Sequence, residues 1–187
     1  MKHKINSVAV YCGHEYGNDP QFAHDAARIG ELLAKNNIKL IFGGGNVGLM
    51  GTVCNAALDN GGTVLGVSTT HIVAKQEPAY DGIELRMTDS INERKTVMFH
   101  ESDAFIILPG GLGTLNELSD IMTMQQVGET KKPLFFLNTH NFWSPFTRLF
   151  IHMQDSGFIE NVHHYTIFGA DNPDDLIKKL LKHKKNQ

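Results

Sequence analysis

Glu117 closes the stretch Leu108-Pro109-Gly110-Gly111-Leu112-Gly113-Thr114-Leu115-Asn116-Glu117, and this setting makes it a candidate for chemistry. Upstream, Ala104-Phe105-Ile106-Ile107-Leu108 is a short apolar run of the kind that forms a fully buried strand. Pro109 and the glycines break it, after which Leu115, Leu118, Ile121, Met122 and Gln125 recur at helical spacing. Strand, glycine turn and helix N-terminus together form an anion site, because bare backbone N–H groups and the helix dipole both favour a phosphate there. Thr114 is placed to cap the helix and to offer a hydroxyl. Glu117, three residues on, either satisfies a backbone N–H as a capping-box carboxylate or stands beside the ligand as a reactive group.

A second candidate is Asn92-Glu93-Arg94-Lys95, which opens a helix just before that strand. A charge run is ordinarily a solvated face, but Val97, Met98 and Phe99 make one side of this helix apolar. Arg94 beside a carboxylate and a phosphate would present a planar fork of donors. A third candidate is the loop Gly43-Gly44-Gly45-Asn46-Val47-Gly48-Leu49-Met50-Gly51. Gly43, Gly45 and Gly48 satisfy G-x-G-x-x-G, yet a dinucleotide site also needs an acidic residue at the end of the next strand. That strand ends Val67-Ser68-Thr69-Thr70, and no Asp or Glu follows until Glu77. No Gly-Lys-Ser/Thr follows either, which excludes a P-loop. The glycines then serve a tight turn and close helix–strand packing, and the loop also approaches the ligand.

These pieces need a frame that brings them together. The pattern predicts strands at 7–12, 38–42, 63–67, 83–87, 104–108, 133–137 and 165–168. Helices follow Asp19-Pro20, Gly51, Asn92, Thr114, Trp143 and Pro173. Residues 69–82 read as an irregular polar segment. Strands alternating with helices predict an α/β fold: a Rossmann-like, doubly wound parallel sheet with helices on both faces, one domain over 1–187. In such sheets ligands bind outside the C-terminal strand ends, where strand order reverses. Both glycine loops sit at such ends and can face one crevice.

Composition narrows the partners. The chain has 187 residues, 41% of them hydrophobic, which allows one domain with a substantial core. A net charge of −3 gives no electrostatic grip on nucleic acid or anionic lipid. The basic tail Lys178, Lys179, Lys182, Lys184 and Lys185 reads as a solvated helix end. Cys12 and Cys54 form no disulfide framework and read as small core residues. No signal peptide and no run approaching the ~20 apolar residues of a membrane span are present, so the expected location is cytoplasmic. Among 10 histidines none has metal-ligand spacing with a third ligand; His163 and His164 would point apart on a strand. No metal or cofactor is assigned.

Tyr11-Cys12-Gly13, the 43–51 glycine loop, Glu93-Arg94-Lys95, Ser102-Asp103-Ala104-Phe105 and Pro109-Gly110-Gly111-x-Gly113-Thr114-x-x-Glu117 together resemble the "lonely guy" (LOG) family, once labelled lysine decarboxylase-like. The resemblance runs from about Val8 to about Gly157, with the motifs in matching order. It implies a Rossmann-like homodimer that hydrolyses the N-glycosidic bond of nucleoside 5′-monophosphates, AMP or N6-modified AMP such as cytokinin nucleotides. The products are free base and ribose 5-phosphate. It implies that Arg94 and Glu117 are catalytic. It maps substrate contacts to Lys95, Gly110, Gly111, Leu112, Gly113, Thr114, Leu115, Asn116 and Thr123, with Gly44 and Gly45 of the first loop beside them. A family Glu in the irregular segment falls on Gln76 or Glu77, depending on a one-residue gap, and Glu77 is the candidate contact. The chain departs from the family pattern at His14-Glu15, Thr69, Ile91-Asn92, Asn116 and Met124. Decarboxylation of lysine ordinarily needs a pyridoxal-phosphate lysine, and no lysine here is singled out for that role.

Cleaving a ribosyl C–N bond builds positive charge on the sugar, which a carboxylate stabilises as in glycoside hydrolysis. Glu117 is expected to hold the ribose hydroxyls, stabilise that charge or orient the water, with Arg94 anchoring it. The competing reading is a nucleotide or pterin-type cofactor carrier of the same fold, since fold alone does not fix function. Retention of both Arg94 and Glu117 favours the hydrolase, because a carrier needs only the phosphate cradle.

Overall fold

Every strand lies parallel to its neighbours in one seven-stranded sheet, described by a computed structural model over residues 4–73, 82–159 and 162–183. The chain runs β1 (Ser7–Tyr11), α1 (Pro20–Lys35), β2 (Lys39–Phe42), α2 (Gly48–Asp59), β3 (Val64–Thr69), α3 (Thr70–Val73) and β4 (Glu84–Thr88). It continues through α4 (Ile91–Glu101), β5 (Ala104–Ile107), α5 (Leu112–Gln126), β6 (Leu134–Leu137), α6 (Ser144–Asp155), β7 (Ile167–Ala170) and α7 (Pro173–Lys182). The spatial order is β4-β3-β2-β1-β5-β6-β7. Ala9 of β1 sits opposite Ile41 of β2 on one side and Phe105 of β5 on the other. The chain builds outward from β1 to β4, then returns to build from β5 to β7, so strand order reverses between β1 and β5. The sheet is doubly wound, and the crevice at its C-terminal edge is where a ligand belongs.

Both faces are covered, which is why β5 and β6 are apolar throughout and buried along their length, as is β2 after Lys39. Side chains alternate along β1. Val8 and Val10 pack with α1, α2 and α7 residues such as Ile29, Val53 and Leu176. Ala9 and Tyr11 pack on the other face with Met98 of α4, Leu118 of α5 and, at its margin, Phe146 of α6. The edge strands β4 and β7 are partly exposed.

Helix starts divide into two kinds. Asp19 caps α1, accepting from the Gln21 N–H at 2.9 Å with Pro20 at the first position, as the sequence predicts. Ser90 caps α4 by accepting from Glu93 N–H, and the Glu93 carboxylate accepts from Asp89 N–H. Neither α2 nor α5, the helices behind the glycine loops, has a side-chain cap.

Several boundaries correct the sequence reading. α5 begins at Leu112 with Gly111 at the cap position, so Thr114 is a buried third residue and Glu117 belongs to no capping box. β3 runs on to Thr69 because β4 pairs with it through Ser68 and Thr69, polar residues buried by that pairing. The expected irregular segment therefore starts with a strand end and the short α3, and its residues 74–81, Gln76, Glu77 and Pro78 among them, lie outside the described residues. β7 is displaced two residues later than expected, paired to β6 through Phe168, Gly169 and Ala170. His163 and His164 form part of a 3-10 turn, not a strand. Lys184 and Lys185 are outside the described residues. Cys12 and Cys54 are unpaired and buried, as expected.

Candidate functional site

Three loops leave the C-terminal ends of β1, β2 and β5, and backbone bonds tie them into one rim. Gly13 N–H donates to Pro109 O at 3.0 Å, while Gly13 O accepts from Leu49 N–H at 3.1 Å and Met50 N–H at 3.3 Å. Gly48 lies at φ +59°, and a Cβ there would sit 2.2 Å from the His14 carbonyl oxygen, so only glycine allows this approach. The bonds have a consequence for anion binding. The first turn of α2 spends its free N–H groups on Gly13. At α5, Gly111, Leu112 and Gly113 are exposed at the mouth with no side-chain cap. The second glycine loop, not the first, keeps the donors and the positive dipole end for an anion.

These loops enclose a cleft of about 440 Å³, lined by Tyr11, Gly13, His14, Gly43, Arg94 and the α5 N-terminus with Thr114 and Glu117, among others. That volume lies in the range of small-molecule sites. A second hollow of about 300 Å³ adjoins it, lined by Asn92, Lys95, Thr96, Phe99, Asp120, Ile121 and Met124, with Tyr11 and Glu117 common to both.

Arg94 and Glu117 meet inside the cleft. α4 carries Arg94 and α5 carries Glu117 on the same sheet face. The Arg94 Nη1 donates to Glu117 Oε1 at 3.1 Å, and the side chains are only 10% and 12% exposed. The Arg94 Nε donates to Val67 O at 2.9 Å, just beyond the point where β2 stops pairing with β3. Gly43 makes room for the guanidinium: a Cβ there would lie 2.2 Å from Nη2. Burial raises the Glu117 pKa above its ordinary value, and the nearby Arg94 charge holds the rise in check, followed by Lys95. Such a carboxylate, desolvated yet paired with a fixed cation, is a group poised for acid–base or charge-stabilising work.

The other expected residues are distributed unevenly. Gly111, Leu112, Gly113 and Thr114 line the cleft, and Gly110 packs against the Thr114 hydroxyl in the same turn. Lys95 faces the adjoining hollow and binds Asp120 Oδ2 at 2.6 Å and Asn116 Oδ1 at 3.0 Å, so Lys95 and Asn116 join α4 to α5 rather than line the main cleft. Leu115 packs against the core. Gly44 and Gly45 are buried behind Gly43, and a Cβ on Gly44 would press on Ser68 and Leu85 at 3.2 Å. Thr123 is exposed three turns down α5, donates to Ser119 O and lines neither hollow. Glu77 lies outside the described residues. As site residues, Tyr11, Gly13 and His14 were passed over in the sequence; the signal was their place at the C-terminal end of β1, one of the two strands flanking the reversal of order, while Gly43 belongs to the loop expected to approach the ligand and lines the cleft. Among the described residues no group of three or more His, Cys, Asp or Glu is placed to hold a metal, and no helix is long and apolar enough to cross a membrane.

Comparison with known proteins shows the family. A family model described as "Possible lysine decarboxylase" matches residues 50–180. The chain is similar to the cytokinin riboside 5′-monophosphate phosphoribohydrolase of Rhodococcoides fascians, 39% identical over 82% of this chain and 78% of that one. It is similar also to the Oryza sativa protein of the same name, LOG, 35% identical over 95% of this chain and 73% of that one. Among solved structures, the molybdenum cofactor binding protein of Rippkaea orientalis shares the fold, with a TM-score of 0.71 at 23% identity over 96% of this chain and 97% of that one. The chain belongs to the LOG family, the family of that "Possible lysine decarboxylase" model.

Proposed function

We propose that this protein hydrolyses the N-glycosidic bond of nucleoside 5′-monophosphates, AMP or N6-modified AMP such as cytokinin nucleotides, to the free base and ribose 5-phosphate. The observation that carries the reading is the buried Arg94–Glu117 pair one helical turn from an uncapped helix N-terminus, inside one cleft. The names of the relatives support the same chemistry.

The 5′-phosphate seats on the N–H groups at the start of α5, with the dipole favouring its charge. This remote binding orients the sugar against Glu117. A water oxygen bonds to C1′ as the C1′–N bond breaks, the bond's electron pair goes to the base, and the proton lost by the water balances the proton that the base takes up to leave as the free base. Glu117 in its ionised form accepts from the ribose hydroxyls and stabilises the cationic sugar. Arg94, fixed by Val67 O and Gly43, keeps the carboxylate ionised and aimed. No step in this scheme draws on a metal or a cofactor.

A carrier of the same fold needs the phosphate cradle but not a desolvated carboxylate held by a buried arginine, so the pair favours the enzyme. The reading extends to a homodimer of one nucleotide-binding domain over 1–187, working in the cytoplasm without nucleic-acid or membrane partners. The exposed apolar residues Ile91 of α4 and Leu149 and Ile151 of α6 support self-association of the helical face that carries α4, α5 and α6. The net charge of −3 argues against nucleic acid. Incubating the protein with a panel of nucleoside 5′-monophosphates, isopentenyl-AMP included, and separating products by chromatography tests the reading. Base release with ribose 5-phosphate supports it; nucleotide binding without release across the panel favours the carrier.

A further inference from the structure

Tyr11 is the last residue of β1, next to the reversal of strand order, with its side chain on the α4–α5 face. It is 4% exposed, and its ring stacks on Phe105 with centroids 6.2 Å apart and planes inclined by 18°. Tyr11 and Glu117 are the residues that wall both the main cleft and the adjoining hollow. The phenol lies within electrostatic reach of Glu117, Arg94 and Asp120, yet makes no hydrogen bond to another described residue. A polar atom in that position without a protein partner is set to meet a ligand.

What it meets follows from donors and acceptors. An ionised Glu117 only accepts; Arg94 spends its Nε on Val67 O and one Nη1 hydrogen on Glu117, and its Nη2 lies against Gly43. A sugar hydroxyl that donates to Glu117 has an oxygen left to be filled, and the neutral side-chain donor that shares both hollows with Glu117 is Tyr11. The hydroxyl next to C1′, where the charge builds, is the 2′-hydroxyl. We propose that the Tyr11 hydroxyl donates to the ribose 2′-oxygen while that 2′-hydroxyl donates to Glu117, making Tyr11 the residue that selects ribonucleotides over 2′-deoxyribonucleotides. Burial, and next the Glu117 charge, raises the phenol above its ordinary value, so it remains a donor at every working pH. The proposal rests on the phosphoribohydrolase reading.

Tyr11→Phe removes one oxygen and leaves the ring on Phe105. The test measures kcat/KM for AMP and the inhibition constant of 2′-deoxy-AMP in wild type and variant, with the melting temperature of each. The expected result is an about tenfold loss in kcat/KM for AMP, the scale of one lost hydrogen bond in a buried site. The 2′-deoxy-AMP constant should stay within about twofold, because that ligand never had the bond. An unchanged kcat/KM for AMP, or equal losses with both nucleotides, would overturn the proposal, the second outcome assigning Tyr11 a packing role. If wild type releases no base, the hydrolase reading fails separately, and calorimetric titration with the same two nucleotides reads the same ratio. A loss in the variant confined to AMP then supports the Tyr11 contact, and its absence overturns it.

Discussion

Replacing Arg94 with methionine fills most of the same space but removes the guanidinium, and the structure allows its cost to be worked out. Two interactions go: the 2.9 Å bond to Val67 O and the 3.1 Å pair with Glu117. Breaking a buried ion pair from one side costs about 3–5 kcal/mol, because the remaining charge is stranded. Burial of the methionine side chain returns about 1–2 kcal/mol, leaving a net loss of about 3 kcal/mol. At ~2.1 cal/mol/K per residue, a chain of 187 residues has an unfolding entropy of about 0.4 kcal/mol/K, so the melting temperature should fall by about 8 °C. The loss must also depend on pH. Arg94 is the main influence holding the Glu117 pKa down, so the variant's carboxyl titrates higher still. Between the unfolded and folded values the native state binds more protons than the unfolded state, and stability therefore falls as pH rises through that window. Differential scanning calorimetry from about pH 5 to pH 8 should show a deficit that grows with pH. A melting temperature within about 2 °C of wild type, or a deficit that shrinks as pH rises, would refute the reasoning.

Three further outcomes follow from the same geometry. Glu117→Gln should cost ~10² or more in kcat/KM, and wild-type kcat/KM should fall in acid with an inflection above the ordinary 4.5. Because the folded Glu117 pKa is raised, the melting temperature of Glu117→Gln minus that of wild type should increase with pH from that value upward; a flat difference would show that burial does not shift the group. Gly48→Ala combines a positive φ with a Cβ 2.2 Å from a backbone oxygen, whereas Gly128→Ala has a positive φ and open space. The second should cost about 1 kcal/mol and the first at least about 3, with a raised KM as the His14 loop moves, both read by thermal unfolding and steady-state kinetics. Burial pushes the Cys54 thiol up to about 12 and Cys12 further, so a thiol-reactive disulfide reagent at pH 8 should label neither cysteine until the chain unfolds.

Much of the frame was legible in the residue pattern because local rules decide it. Asp19-Pro20 marks a helix start whatever surrounds it, and the apolar runs at β1, β2, β5 and β6 are the mark of strands buried on both faces. The placing of Arg94 against Glu117 was legible only through the family motifs, since 23 residues and a whole strand separate them. Tertiary pairing decided what the pattern could not. Ser68 and Thr69 look like the start of a loop, yet β4 holds them in the sheet. Thr114 looks like a cap, yet Gly111 takes that position and leaves the N–H groups open. The first glycine loop matches a phosphate-binding fingerprint, yet its helix start is satisfied by Gly13 O, an interaction across 36 residues that no local spacing announces. Tyr11 reads as strand filler until Phe105 and Glu117 are placed around it.

The central claim is that Glu117, held by Arg94 beside a phosphate-binding helix end, cleaves the ribosyl bond. Its most direct test is the rate of ribose 5-phosphate release from AMP or isopentenyl-AMP by wild type and by Glu117→Ala, with nucleotide binding measured on both. The account predicts equimolar base and ribose 5-phosphate from wild type, and a folded Glu117→Ala that still binds nucleotide but turns over ~10² or more slower. A folded Glu117→Ala with wild-type turnover would contradict it.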